Sequence, residues 1–169
     1  MRRGGAAASS AVWGDFASCV ISVERGLPRG SSWADRYMAL TPYGLGAILW
    51  AVVYAIEFTA EFEVWWNSLD EDEQFSIGRG VNRIRAAGPA LGRPHADTVK
   101  GSAFANLKEL RVQHAGRPYR VFFAFDPRRT AMLLIGGDKT GNNRFYEEMV
   151  AKADAIYAEH LREIEREKL

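Results

Sequence analysis

Leu107-Lys-Glu-Leu-Arg-Val-Gln113, Tyr119-Arg-Val-Phe-Phe-Ala-Phe125 and Thr130-Ala-Met-Leu-Leu-Ile135 are three short runs dense in β-branched, aromatic and aliphatic residues. His114-Ala-Gly-Arg-Pro118 separates the first from the second, and Asp126-Pro-Arg-Arg129 separates the second from the third. Runs of this length, bounded by Gly, Pro and Asp, predict consecutive strands of an antiparallel meander. The third is nearly all apolar, as a strand covered on both faces is. Successive side chains of a strand point to opposite faces. Tyr119, Val121, Phe123 and Phe125 therefore share a bulky apolar face, while Arg120, Phe122 and Ala124 turn the other way. On the preceding strand Leu110 and Val112 suit the core, which leaves Glu109 and Arg111 together on the opposite side. Neighbouring strands then bring Arg111 and Arg120 onto one surface.

The flanking segments complete a domain. Trp50–Phe58 reads as an opening strand. Thr59 is a fitting N-cap for a helix carrying Phe62, Trp65, Trp66 and Leu69. Asp70 caps a second helix over Glu71–Ala87, with Phe75, Ile77, Val81 and Ile84 as its apolar positions, and Gly88-Pro89 stops it. Residues Gly88–Ala105 read as an irregular loop, and Gly136–Gly141 as another. A closing helix starts at Asn142 or Asn143, with Phe145, Met149, Ala153, Ile156, His160 and Ile164 on one stripe. The order β-α-α-β-β-β-α predicts an α+β domain over residues 50–169, a small antiparallel sheet packed on helices.

Residues 1–49 are rich in Ala, Gly and Ser, broken by Pro28 and Pro42, and are expected to form an irregular or weakly ordered N-terminal extension. No convincing signal peptide opens the chain. Tyr37–Ile56 is free of charge and about long enough to cross a bilayer. Pro42, Gly44 and Gly46 make its first half a poor helix, so a strand is favoured and no stable membrane association is expected. The lone Cys19 excludes an internal disulfide or a cysteine-rich zinc site, and a reducing, cytoplasmic setting follows. With 47% apolar and 25% charged residues, the chain is neither disordered nor fibrous.

The net charge of +1 conceals a strong asymmetry. Arg79 to Arg144 holds thirteen Lys or Arg against Asp97, Glu109, Asp126 and Asp138. Glu57–Glu73 carries seven carboxylates and no base, and the tail from Glu147 is acidic as well. A basic segment inside a neutral protein is a candidate face for phosphates or for an acidic partner. RNA cleavage by its own 2′-hydroxyl needs one oxygen deprotonated, a phosphorane stabilised and a leaving oxygen protonated. Guanidinium forks suit the phosphorane, and a tyrosine or carboxylate can move the proton. Arg111, Arg120, Lys139 after the last strand, and Tyr146 on the closing helix are the candidates. Pairing of the two arginines with Glu109 and Asp138 is the competing explanation. His114 lies in a turn and is the histidine nearest these groups. The chain shows neither a Ser-His-Asp nor a Cys-His set, and no phosphate-wrapping glycine loop. The histidines lack ligand spacing, so neither a metal nor another cofactor is expected.

Leu107-Lys-Glu-Leu-Arg111, Tyr119-Arg-Val-Phe-Phe-Ala-Phe125, Leu134-Ile-Gly-Gly-Asp-Lys-Thr140 and Arg144-Phe-Tyr146, taken in order, resemble the HigB branch of the RelE/ParE toxin superfamily. The likeness extends from about Trp50 to Leu161 and leaves residues 1–49 without a counterpart. It implies a RelE-like fold and a type II toxin, usually a ribosome-dependent mRNA endonuclease, neutralised by a helix-turn-helix (HigA-like) antitoxin. It also implies catalytic roles for Arg120, Lys139 and Tyr146. Relatives carry lysines where this chain has Glu109, so Glu109 is either a general base or a support for Arg111 or Arg120. Arg111, Lys108, Arg117, Arg144 and His114 are the expected RNA or phosphate contacts. The alternatives are a ParE-like gyrase inhibitor and a non-catalytic binding module with a basic face.

Overall fold

The computed structural model describes residues 54–168. The elements are β1 (Ile56–Phe58), α1 (Ala60–Trp66), α2 (Glu71–Ala87), a 3-10 turn (Gly88–Ala90), β2 (Ala96–Thr98), β3 (Leu107–His114), β4 (Arg117–Phe125), β5 (Ala131–Asp138) and α3 (Phe145–Glu167). This is the α+β class that the sequence predicts. The expected extension over residues 1–49 and the stretch Trp50–Val53 of the opening strand lie outside the described residues.

One sheet runs in the order β1-β5-β4-β3-β2. Strands β2 to β5 pair antiparallel, whereas β1 joins β5 in parallel, Ile56 opposite Ala131. The sheet is therefore mixed rather than purely antiparallel. The physical reason is the crossover: α1 and α2 carry the chain from one edge strand to the other, and the meander brings it back.

Helices cover both faces. On one, α2 lies so close to β3 that a Cβ at Gly80 would come within 2.9 Å of Leu110 and Val112. Ile77, Val81 and Ile84 of α2 are fully buried there, whereas Phe75, expected in the core, is exposed. On the other face, α3 sets Phe145, Met149, Val150, Ala153 and Tyr157 against Phe122, Ala124, Met132 and Leu134. Two covered faces bury both parities of β4, so Phe122 and Phe123 are equally inaccessible. The pairing slips here: Phe122 faces Ile135 but Phe123 faces Leu133. The extra residue in β5 is a bulge that turns both Leu134 and Ile135 toward α3.

Two expected loops carry strand instead. β2 lies inside the Gly88–Ala105 stretch, and at three residues it is too short for alternation to mark it. β5 continues through Gly136 and Gly137 to Asp138. A Cβ at Gly136 would overlap the Trp65 indole, so this glycine marks the close approach of α1 to the sheet. The β3–β4 turn is only Ala115-Gly116, both at positive φ (46° and 80°), the geometry of a two-residue hairpin.

Local signals fix the helix ends. Asp70 accepts from the Glu73 amide at 2.8 Å, and Glu73 Oε2 accepts from the Asp70 amide at 2.9 Å, a reciprocal capping box. The acidic end of α3 is solvated helix: Glu159 pairs with Arg162 and Arg166, each at 2.9 Å. Among the described residues, no helix is long and apolar enough to cross a membrane.

The β4–β5 turn is organised by Asp126, whose side chain is fully buried. It accepts from the Arg128 and Thr130 amides at 2.9 and 3.0 Å and from Arg128 Nε at 2.8 Å, with His160 Nε2 at 3.2 Å. Burial alone would raise its pKa, but the Thr130 amide, Arg128 and His160 outweigh it and hold the carboxyl below its ordinary value. A depressed carboxylate stabilises the fold above its unfolded pKa of about 3.9, and that contribution is lost as pH falls through the lower folded value. Urea unfolding should therefore show stability dropping below about pH 4. Asp126→Asn should flatten that dependence and cost on the order of 3 kcal/mol at pH 7.

Candidate functional site

Cross-strand register builds the site. Arg111 stands directly opposite Arg120, and Glu109 opposite Phe122. All four side chains lie on the α3 side of the sheet. Like charges facing each other across two strands repel. Here the repulsion is answered from beneath by Glu109, which is only 3% exposed. Arg111 donates to Glu109 Oε1 through Nε at 2.8 Å, with Nη2 at 2.7 Å. Arg120 Nε lies 3.7 Å from the other oxygen, Oε2, which has no hydrogen bond among the described residues.

Further contacts set the direction of each guanidinium. Arg111 Nη2 also meets Asp97 of β2 at 3.0 Å, and the same carboxylate oxygen holds Arg93 at 2.6 Å. Arg120 donates through Nη1 to the Tyr119 carbonyl at 2.9 Å and through Nε to the Tyr146 hydroxyl at 3.4 Å. Tyr146 sits in the first turn of α3, its ring edge-on to Phe122 and Phe145. Lys139 Nζ lies 4.8 Å from the centre of that ring, a cation–π contact. On the far side of Arg120, the paired residue of β5 is Gly137, which brings no side chain into the site.

The electrostatics follow from these contacts. The hydrogen bond to Glu109 raises the Arg111 pKa; burial opposes, and Asp97 adds to the rise. Burial raises the Tyr146 phenol, and the Glu109 carboxylate reinforces this against the opposing Arg120. At neutral pH the cluster therefore presents two guanidiniums and a protonated phenol, with the Lys139 side chain against its ring. Such a set can hold a phosphate and deliver one proton.

The structure thus brings together Arg111, Arg120, Lys139, Tyr146 and Glu109. It places Lys108, His114 and Arg117 on the opposite face of the sheet, because they share the parity of Leu110, Val112 and Tyr119. Lys108 Nζ donates to the Pro89 and Leu91 carbonyls at 2.8 and 2.6 Å and is lowered by burial. His114 Nδ1 meets Ser76 at 2.8 Å. Arg117 pairs with Glu73, which the Tyr119 hydroxyl also meets. Arg144 is exposed beside the site and pairs with Glu147 at 3.1 Å. The sequence reading missed Asp97, since β2 was invisible to it, and the α2 residues Arg79 and Arg83. With His95, Arg111 and Arg120, these two arginines line an open hollow of about 480 Å³ along β3. Among the described residues, no three His, Cys, Asp or Glu gather as metal ligands would.

The sequence matches a known family and named relatives. The family described as phage derived protein Gp49-like (DUF891) matches residues 64–158. A Mycobacterium tuberculosis protein named "Putative toxin HigB3" is 43% identical over 101 residues, 59% of this chain and 87% of that protein. Another from the same organism, "Putative toxin HigB2", is 40% identical over 119 residues, 68% of this chain. The match spans 59% of the length of HigB2.

Removing one partner of a buried ion pair strands the other charges. Glu109→Gln keeps the shape and loses the charge, so it should lower unfolding stability by about 3 kcal/mol in urea titrations. A loss below about 0.5 kcal/mol, the level of an ordinary surface change, would contradict the buried bridge.

Proposed function

Since the chain belongs to the Gp49-like family, within the HigB branch of the RelE/ParE superfamily, we propose that it is a type II toxin that cleaves mRNA. The observation that supports cleavage is the convergence of Arg111, Arg120, Lys139 and Tyr146 on one sheet face, over a buried carboxylate. A scissile phosphate bound there gains bidentate contacts that strengthen as its oxygens gather charge in the phosphorane. The ribose 2′-oxygen attacks phosphorus as its proton passes to solvent water, and the bond to the 5′-oxygen breaks to give a 2′,3′-cyclic phosphate and a 5′-hydroxyl. Tyr146, half-buried and with its phenol raised further above neutrality, keeps its proton until it gives it to the departing 5′-oxygen. Lys139 lies against the ring and stabilises the phenolate that remains. Glu109 positions both guanidiniums and does not touch the substrate, because it is buried beneath them.

The cluster contains cations and an acid but no free base. A nuclease so equipped depends on its substrate being presented in a strained, in-line geometry, which the ribosome supplies. The cognate partner is a helix-turn-helix antitoxin, and the setting is the cytoplasm.

Expression of the wild-type chain should halt growth, and 5′-end mapping should reveal cleaved transcripts. Arg120→Ala with Lys139→Ala should abolish both while the folded domain survives. Tyr146→Phe should lower the cleavage rate by about 10² to 10⁴ with little change in RNA affinity. Growth arrest with DNA damage and intact transcripts would instead point to gyrase. A double variant that stays fully toxic would overturn the cleavage reading.

A further inference from the structure

The hollow along β3 is not explained by the cleavage cluster. Arg111 and Arg120 form one wall, and across the strand edge α2 contributes Arg79, Arg83 and Ser76. β2 pairs with β3 only as far as Leu110, so the β3 edge is uncovered at Val112 and Gln113, and these residues form the floor. His95 is pinned beside them, its carbonyl accepting from the Arg111 amide at 2.8 Å.

Charge distinguishes this hollow from ordinary surface. Four guanidiniums line it and no carboxylate does. Asp97 and Glu109 are committed to Arg111 and Glu109 approaches Arg120, but neither reaches the α2 wall. Among the described residues, Arg79 pairs with no carboxylate, and Arg83 meets only the His95 ring, Nη1 to Nδ1 at 3.3 Å. An acid three or four residues away on the helix would pair with such an arginine. No acid stands three or four residues from Arg79 or Arg83, and α2 beyond Glu73 carries none.

We propose that this hollow is a second phosphate subsite, with Arg79 and Arg83 holding the RNA backbone phosphate next to the scissile one. This rests on the cleavage reading only for which phosphate lies next door. A guanidinium fork matches phosphate oxygens bidentately, as an ammonium does not. The shared wall of Arg111 and Arg120 makes the hollow continuous with the cleavage cluster. A volume of about 480 Å³ takes a nucleotide unit rather than a folded partner. Two grips on adjacent phosphates fix the direction of the strand and hold the attacked phosphorus in line.

Fluorescence titration of the purified full chain tests the subsite with two non-cleavable probes, a 2′-deoxy hexanucleotide and a dinucleoside monophosphate. Arg79→Ala with Arg83→Ala should weaken hexanucleotide binding about tenfold or more. The slope of log affinity against log salt should shrink by about 0.7 per lost phosphate contact. The single-phosphate probe should bind unchanged, and Arg79→Lys with Arg83→Lys should restore the slope but not the whole affinity. Unchanged hexanucleotide affinity and slope in the alanine variant would overturn the proposal, as would equal loss for both probes. It would also fall if the wild-type chain bound an oligoglutamate peptide through these arginines but not the hexanucleotide. If the Arg120, Lys139 variant remained toxic, the cleavage reading would fail on its own, and the titration would still decide the subsite.

Discussion

A carboxylate with almost no solvent, Glu109, holds two guanidiniums that strand register forces to face each other. Without it, Arg111 and Arg120 would repel across the β3–β4 pair and swing toward water. With it, both charges remain on the face while their stems are fixed. Arg111 takes one carboxylate oxygen through two nitrogens, and Arg120 stands near the other. The arrangement is costly to assemble, since three charged groups lose hydration. What it yields is a rigid cationic platform whose geometry exists before any substrate arrives.

The rest of the fold serves that platform. Covering both sheet faces anchors β3 and β4, and α3 then delivers Tyr146 beside Arg120 from its first turn. The bulge at Leu134–Ile135 lets β5 meet α3 and still end at Asp138, one residue before Lys139. Gly137, opposite Arg120, lets Phe145 and Met149 of α3 pack directly on the strand. The same sheet has an acid-lined network on its other face, where Glu73, Tyr119 and Arg117 interlock. Burial and the Glu73 carboxylate push the Tyr119 phenol up to about 12, so that network is structural at every physiological pH. Two buried carboxylates thus do different work on opposite sides of one sheet.

Much of this was legible in the residues. Asp70 marks the start of α2, and Gly88-Pro89 its end. Alternation correctly put Arg111, Arg120 and Glu109 on one side. The same alternation, applied consistently, also removes Lys108 and His114 from that side, because they share parity with Leu110 and Val112. Charge alone had grouped them with the site. Other features left no readable signal. β2 is too short to show a period, yet it supplies Asp97. The glycines at 136 and 137 read as a loop because composition cannot distinguish a turn from a strand pressed against an indole. Arg79 and Arg83 come from a helix some thirty residues upstream, and only the tertiary fold sets them beside β3.

If the two arginines act as one phosphate-holding unit, they respond to RNA together. Their Nε–Hε resonances can be followed by NMR as the full chain is titrated with an RNA carrying a 2′-O-methyl group at the scissile position. Arg111 and Arg120 should shift together, saturating at the same RNA concentration, and Glu109→Gln should broaden both signals before any RNA is added. If RNA binds while neither guanidinium responds, or if the two respond at different concentrations, the platform is not where the phosphate sits.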